Sequence, residues 1–416
     1  MVERLRKVGF ARLKPVDEVL ENLLSQIERK EKERILTNKS LNRILYEDVQ
    51  SKINVPHFRR AAMDGYAVKA KNTFEASPKN PKYLKLVGQI DIGEIKDLEL
   101  REGEAIRIST GAAVPKGADS VIKIEDTKLD GENITIYTSV APGKNVGKKG
   151  EDIKKESTVL SGGVQIKAEH IALLSSLGME TITVSKKPQI SLFATGDELL
   201  EVGESVSENK IFDSNTPMIH SLVEQYGGKV IKTSLLKDDK KLITAALSSA
   251  TKESDIVIFT GGTSVGTKDF LPEILNKKGE ILAHGVAMRP GSPLLVALYN
   301  ECLVFCLPGT PVAAYVGFLK IVGKSIRQFL RCQHLDPRIE ISALISKDVP
   351  VTKLGYLYYL RAKLIKSEEN FLAQPVRLKG SGILSSLTES DGIIEISPDQ
   401  EGLKRGDKVI IKLHPQ

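Results

Sequence analysis

The chain has 416 residues, 41% of them hydrophobic, with 60 Lys or Arg against 53 Asp or Glu and a formal net charge of +7; this exceeds one ordinary domain and predicts three or four. The basic residues are spread along the sequence, only 5% of residues are aromatic and Trp is absent, which argues against a nucleic-acid partner. The three cysteines, two of them (Cys302 and Cys306) in an apolar run, have no histidines at ligand spacing; they read as structural thiols of a reducing, cytoplasmic setting and not as a disulfide framework or zinc site.

The N-terminal MVERLRKVGFARLKP carries charges throughout and no apolar segment, so no signal peptide is read there. After Pro15, the residues Val19, Leu20, Leu23, Leu24 and Ile27 share one face over residues 15–30 and predict an amphipathic helix. A second helix is predicted from Ser40, with Leu41, Ile44 and Leu45 as its apolar stripe. In NVPHFRRAAMDGYAV (54–68), Asp64-Gly65 reads as a turn with a carboxylate at its tip, an ordinary feature by itself. Residues 80–150 are short alternating or β-branched runs separated by Gly and Pro, a β-rich insertion with a hairpin turn at Asp130-Gly131. It holds Thr110 and Gly111 in a polar loop after a strand and leads into an exposed link, GKNVGKKGEDI (143–153), that carries Asp152. Residues 168–178 predict a short helix closed by Gly178.

From Pro188 the elements alternate: strands 189–194, 229–235, 255–260 and 302–307, with helices near 215–226, 239–250, 270–277 and 311–322. Alternation predicts a doubly wound α/β domain, a parallel sheet covered on both faces with its ligand cleft outside the carboxyl ends of the strands. Its centre is DIVIFTGGTSVGTKDF (255–270): an apolar β-branched run, then Gly261 and Gly262 to admit a ligand to main-chain N–H groups, Thr263 and Ser264 for hydroxyls, Gly266, and a helix start. Thr195 and Gly196 after the first strand, and Pro308 and Gly309 after the last, bring two more loops to that cleft. Asp269 alone fits a helix cap as well as a metal ligand. Together, Asp197, Glu198, Asp238 and Asp269 would repel one another around an anion site unless a cation intervened, which points to Mg²⁺ and a phosphate. The most membrane-like stretch, Cys302 to Gly323, is broken by Pro308, Gly309 and Pro311 and carries Lys320, so no membrane span is read. Residues 338–412 return to strands divided by Gly, Pro and Asp, a small antiparallel sheet or barrel with Arg361 in a strand and Ser381 in a Gly-Ser-Gly loop.

Seven segments in order, FRRAAMDGYAV (58–68), RISTGAAVPKGAD (107–119), GEDI (150–153), ATGDEL (194–199), TGGTSVGTKDF (260–270), RPGSP (289–293) and LPGTPVAA (307–314), resemble the motif set of the molybdopterin molybdenumtransferase (MoeA) family. The E domain of gephyrin is its animal relative, and the ordered set is far more specific than any single motif. The resemblance implies a helical dimerisation domain (1–53 with 150–187), the inserted β-rich domain (54–149), a molybdopterin-binding α/β domain (188–330) and a C-terminal β-barrel (331–416). It implies a homodimer with its active site between subunits, and the molybdopterin adenylyltransferase as a partner. The implied activity takes adenylylated molybdopterin and molybdate or tungstate, hydrolyses the adenylate with Mg²⁺ and inserts the metal into the dithiolene. Carried over by motif, Asp64, Asp152, Glu198, Asp238 and Asp269 are the catalytic acids, with Glu198, Asp238 and Asp269 on the metal. Thr110, Thr195, Gly196, Gly261, Gly262, Thr263, Ser264, Gly266, Arg289, Pro293, Pro308 and Gly309 are implied to bind substrate, and Arg361 and Ser381 resemble residues lining the molybdate site.

The sequence departs from the family at three places. Phe58-Arg59-Arg60 stands where many relatives have Phe-Asp-Asn, Arg289-Pro290-Gly291-Ser292-Pro293 replaces a KPGKP-like motif, and Gly285 stands where some members carry lysine. Arg289 keeps a cation, whereas Ser292 supplies a dipole for a charge. The lost charges open a second reading, a non-catalytic or weakly active paralogue that serves as a pterin-binding scaffold or carrier. Against it stands the full acid set, for which a scaffold has no use.

Overall fold

A computed structural model describes residues 13–28, 31–94, 96–262 and 270–415. The first amphipathic helix is present as Val16–Ser25, and its buried face of Val16, Val19 and Leu23 joins the core of the α/β domain. The second predicted helix does not form. Thr37–Lys39 makes a single 3-10 turn, Leu41 is 54% exposed, and Ile44 and Leu45 enter isolated β-bridges with Gln165 and Val184. Ser40 spends its hydroxyl on the Thr37 carbonyl and Asn42 takes a positive φ, so local bonding ends the helix before a second turn. Leu45 instead packs with Val49, Ile166, Leu174 and Val184, beside the antiparallel pair Lys32–Leu36 and Thr181–Ser185.

The β-rich insertion is a six-stranded mixed sheet in the order Ser120–Lys123, Gly65–Val68, Glu104–Ile108, Lys82–Ile90, Asn133–Ile136 and Thr127–Asp130; the last two form the expected hairpin. Tyr66 and Val68 face one core and Ala67 the other, so the sheet is covered on both sides.

In the α/β domain the order is Lys229–Leu236, Gln189–Thr195, Ile256–Thr260, Cys302–Leu307, Leu295–Tyr299 and Glu280–His284. The first four are parallel, as alternation predicts; the expected all-parallel sheet is corrected by the last two, which pair antiparallel. Asn300 and Glu301, with φ of 51° and 64°, make the tight hairpin that adds them. Ile256 and Ile258 enter one core and Val257 and Phe259 the other, so this strand is buried on both faces as its unbroken apolar run requires. Burying each such side chain contributes about 2 kcal/mol. The final helix runs on past its predicted end, through Pro311–Gly317, a π turn at Phe318–Val322, and Gly323–Phe329.

The C-terminal strands close on themselves. Leu357–Lys366 pairs with both Phe371–Arg377 and Gly392–Ile396, and Glu340–Ile345 and Lys408–Leu413 complete a five-stranded barrel. Met288–Arg289 of the α/β domain adds in parallel to Leu357–Tyr358 and ties the two domains together.

Candidate functional site

Three parallel strands release glycine loops at their carboxyl ends, and the loops meet. The Gly261 N–H donates to the Leu307 carbonyl at 3.0 Å, and a β-carbon on Gly309 would lie 3.5 Å from Gly261 Cα. Gly261 has a φ of +91° and no room for a side chain, because a β-carbon would stand 2.6 Å from the Thr195 carbonyl oxygen. Only glycine brings the chain this close. Thr195 Oγ1 is buried and has no hydrogen-bond partner among the described residues, and it lies 3.1 Å from the β-carbon position of Gly262. An unpaired buried hydroxyl is costly, which suits a group that a ligand completes. Thr263, Ser264, Gly266 and Asp269 lie outside the described residues.

Sequence reasoning overlooked a fourth contributor. Asp213 Oδ1 accepts the N–H groups of Asn215 (3.0 Å) and Thr216 (3.1 Å) and starts the helix Asn215–Gln225, while Asn215 Nδ2 donates to the Gly309 carbonyl at 2.8 Å. Asn215 Oδ1 and Thr216 Oγ1 are buried without partners among the described residues. A helix start beside the glycine loops attracts anions. The signal was present in Asp213-Ser214-Asn215-Thr216, a run of capping residues just before an apolar helix face.

The acids of this domain sit on the rim. The Asp238 N–H donates to Asp197 Oδ1 at 3.2 Å, the Asp197 N–H donates to Asp238 Oδ2 at 3.4 Å, and Lys210 Nζ donates to the Asp197 carbonyl. Glu198 is exposed, and its carboxylate lies 2.8 Å from where Gly196 would carry a β-carbon. Asp239 is spent as a helix cap on the N–H groups of Lys241 and Leu242. Carboxylates are the hard oxygen donors that Mg²⁺ takes. Among the described residues, however, no three His, Cys, Asp or Glu side chains gather closely enough to hold a metal, so Glu198 and Asp238 fall short of a site by themselves.

The C-terminal candidates approach from the barrel of the same chain. The Val312 N–H donates to the Ser381 carbonyl at 3.0 Å, which seats the Gly380–Gly382 loop on the turn that carries Pro308 and Gly309. Beneath that loop Arg361, a strand residue, is fully buried. Its Nη2 donates to the Lys379 carbonyl at 3.0 Å, and Nε and Nη1 have no partner among the described residues. Burial, with Arg377 alongside, lowers its pKa to about 10. Arg289 stacks its guanidinium 4.3 Å from the centre of the Tyr356 ring, and the turn leading to Pro293 is held by Ser292 Oγ donating to the Met288 carbonyl at 2.6 Å. Gly285 donates its N–H to the Leu294 carbonyl and closes the same segment.

The β-rich candidates form a separate group. Asp64 Oδ1 accepts both the N–H (2.7 Å) and the hydroxyl (2.9 Å) of Thr110, and these two bonds hold the exposed carboxyl below its ordinary pKa of 3.8. Asp152 is exposed and donates its N–H to the Val55 carbonyl at 3.1 Å. The bonds between Asp64 and Thr110 stay within the β-rich insertion, that of Asp152 goes to Val55 where the chain enters it, and among the described residues none of these bonds reaches the glycine loops. The cysteines are buried and unbridged, with burial raising Cys302 to about 12 and Cys332 to about 11, as inert structural thiols require. Among the described residues no helix is long and apolar enough to cross a membrane.

Three family models match the chain: the MoeA N-terminal region (domain I and II) over residues 14–178, the "probable molybdopterin binding domain" over 191–328, and the MoeA C-terminal region (domain IV) over 349–413. The chain is 35% identical over 404 residues to a molybdopterin molybdenumtransferase of Bacillus subtilis (strain 168), covering 96% of this chain and 94% of that one. It is 33% identical to a protein of the same name from Staphylococcus aureus (strain COL), covering 96% and 95%. The crystal structure of a molybdopterin biosynthesis MoeA protein from Pyrococcus horikoshii OT3 superposes with a TM-score of 0.84 at 34% identity, over 97% of this chain and 100% of that one.

Proposed function

The chain belongs to the MoeA family of molybdenum cofactor biosynthesis, and from that premise we propose that it is a transferase that inserts molybdenum, delivered as molybdate or its tungsten analogue, into adenylylated molybdopterin. The observation that carries the reading is Arg361: a buried guanidinium with two nitrogens unpaired and no carboxylate partner among the described residues, one loop away from the glycine cradle. A forked cation kept dry without a counter-ion is suited to a tetrahedral oxyanion. The backbone of Gly196, Gly261, Gly262 and Gly309, with the Thr195 hydroxyl and the Asn215 helix start, binds the pterin and phosphate oxygens. Arg361 holds molybdate under the Ser381 loop, and Arg289 supplies a second cation on the flanking strand. An oxygen of water or molybdate attacks phosphorus, a P–O bond of the phosphoanhydride breaks, and AMP separates from the molybdopterin phosphate with the attacking oxygen on one of the two, a reaction in which positioning and charge do most of the work. Glu198 and Asp238, with Asp269 by motif, would hold Mg²⁺, which supplies positive charge against the phosphate oxygens.

Asp64, Thr110 and Asp152 complete the site from a second copy of the chain in a homodimer, in keeping with hydrogen bonds that do not tie them to the cradle of their own chain. The molybdopterin adenylyltransferase is the expected supplier of substrate, and three buried thiols fit the reducing cytoplasm. The test is AMP release from adenylylated molybdopterin and Mg²⁺ on addition of molybdate, with tungstate run in parallel. Oxyanion-dependent release supports the transferase; tight pterin binding with no release under saturating conditions supports a scaffold or carrier instead.

A further inference from the structure

Arg60 stands at one of the departures from the family, and its surroundings give that departure a use. The short strand Arg60–Ala61 is bonded on both edges. On one it runs antiparallel to Val146–Gly147, with Arg60 opposite Gly147. On the other the Ala61 N–H donates to the Ala112 carbonyl (2.9 Å) and the Gly111 N–H to the Ala61 carbonyl (2.8 Å). One edge therefore holds the loop in which Thr110 bonds Asp64, and the other leads into the turn that ends at Asp152. Arg60 Nη2 donates to Glu151 Oε1 at 3.0 Å, and Glu151 Oε2 accepts the Lys148 N–H at 2.9 Å, which closes that turn directly before Asp152. Glycine at residue 147 leaves room for the pair. A β-carbon there would stand 2.9 and 3.1 Å from the two Glu151 oxygens and 3.2 Å from Arg60 Cγ.

From this geometry we infer that Arg60 is a positioning residue: through Glu151 and its own strand it fixes the Asp152 turn relative to the Asp64–Thr110 pair, so that both acids meet the substrate as one unit. The inference rests on the proposed function in treating Asp64 and Asp152 as working groups. The two partners are 49% and 36% exposed, so the pair adds little to global stability and is screened by salt. Its effect lies in placement. A displacement of about 1 Å at a reacting group lowers turnover by up to about a hundredfold.

Arg60→Glu and Glu151→Arg are each expected to lower kcat about tenfold, with a smaller change in KM and an unchanged thermal midpoint. The charge exchange R60E/E151R is expected to recover a substantial part of the loss, as a direct pair requires. Gly147→Ala leaves both charges in place but pushes the Glu151 carboxylate aside, and it is expected to lower kcat in the same direction by a smaller factor; a bulk electrostatic effect would leave it at the wild-type rate. Hydrogen exchange reads the coupling without chemistry. In R60E and G147A the amides of residues 109–113 and 148–153 are expected to exchange faster together, and to slow again in R60E/E151R. Faster exchange at 148–153 alone, or no recovery in the charge exchange, overturns the inference. If the wild type releases no AMP with molybdate, the proposed function fails while hydrogen exchange still decides the role of Arg60. If the wild type turns over and every variant matches it, the role of Arg60 fails and the function stands.

Discussion

Arg361 is fully buried, bonds one carbonyl and among the described residues meets no carboxylate, and burial, with Arg377 adding to it, draws its pKa down from the ordinary arginine value to about 10. A fall of that size corresponds to about 3 kcal/mol of disfavoured charge. For a base whose folded pKa lies below its unfolded value, stability is lost as pH drops from the unfolded value through about 10, so the whole penalty is present at neutral pH. Arg361→Met removes the charge at similar length and gives up one hydrogen bond worth about 1 kcal/mol. The variant is therefore expected to be more stable by about 2 kcal/mol, read as a higher denaturant midpoint at pH 7. It should also lose molybdate-dependent AMP release. Molybdate at about 100 times its Kd should stabilise the wild type by about 2.7 kcal/mol and leave the variant unmoved. Arg361→Lys keeps a cation without the fork and should fall between them. A methionine variant that turns over normally with molybdate, or that is destabilised by more than about 1 kcal/mol, refutes the oxyanion role.

Gly261→Ala places a β-carbon 2.6 Å from the Thr195 carbonyl at a φ of +91°, and it is expected to lower stability by about 2 kcal/mol and to abolish calorimetric binding of adenylylated molybdopterin. Thr110→Val keeps the N–H bond to Asp64, the larger cause of its lowered pKa, and removes the 2.9 Å hydroxyl bond. The Asp64 carboxyl should then titrate closer to 3.8, which moves the acid limb of kcat/KM upward in an NMR-matched pH profile. A depressed carboxyl contributes stability above its unfolded pKa and loses it as pH falls through the folded one, so the variant loses that contribution at higher pH. His414 lies 2.7 Å from the Tyr315 hydroxyl through Nδ1 and 3.0 Å from Ser390 Oγ through Nε2, and burial, then Arg338, pushes its pKa below 6.5. The neutral ring is favoured in the fold, so stability is complete above 6.5 and drains as pH falls through the folded value; urea melts of His414→Gln should show that loss flattened.

The glycine cradle was legible because its cause is local. Apolar β-branched runs that stop at Thr-Gly or Pro-Gly pairs mark strand ends where a chain turns close to a ligand, and Gly196, Gly261 and Gly309 follow from that alone. The resemblance singled out Arg361, but its burial was not legible, because nothing in YLYYLRAKLI shows that its strand will pair on both edges and close a barrel around the side chain. The helix predicted from Ser40 failed for the opposite reason: its apolar spacing was right, but Ser40 and Asn42 prefer their own turns and Leu45 finds a partner in Val184. The antiparallel strands at 280–284 and 295–299 were masked by reading only alternation, although Asn300-Glu301 between two apolar runs is a hairpin signal. Asn215 was read only as part of a helix, because a capping residue and a ligand-facing residue look alike until the loop opposite is known.

The separation of the two groups of candidate residues leads to a test of the whole arrangement. Asp64 and Thr110 bond each other in the β-rich sheet, while Gly261, Gly309 and Asn215 meet at the rim of another. If the site is composite, Asp64→Asn damages the half that a chain lends to its partner, and Gly261→Ala damages the half it keeps. Each homodimer carries two defective sites and should be inactive. Unfolding and refolding an equal mixture makes half the molecules mixed dimers, in which one site inherits both defects and the other none, so activity should return to about a quarter of wild type. Sites built within one chain cannot be repaired this way. Refolded mixtures that contain mixed dimers, shown by differently tagged chains, yet release no AMP would mean that Asp64 and the glycine loops never share a substrate.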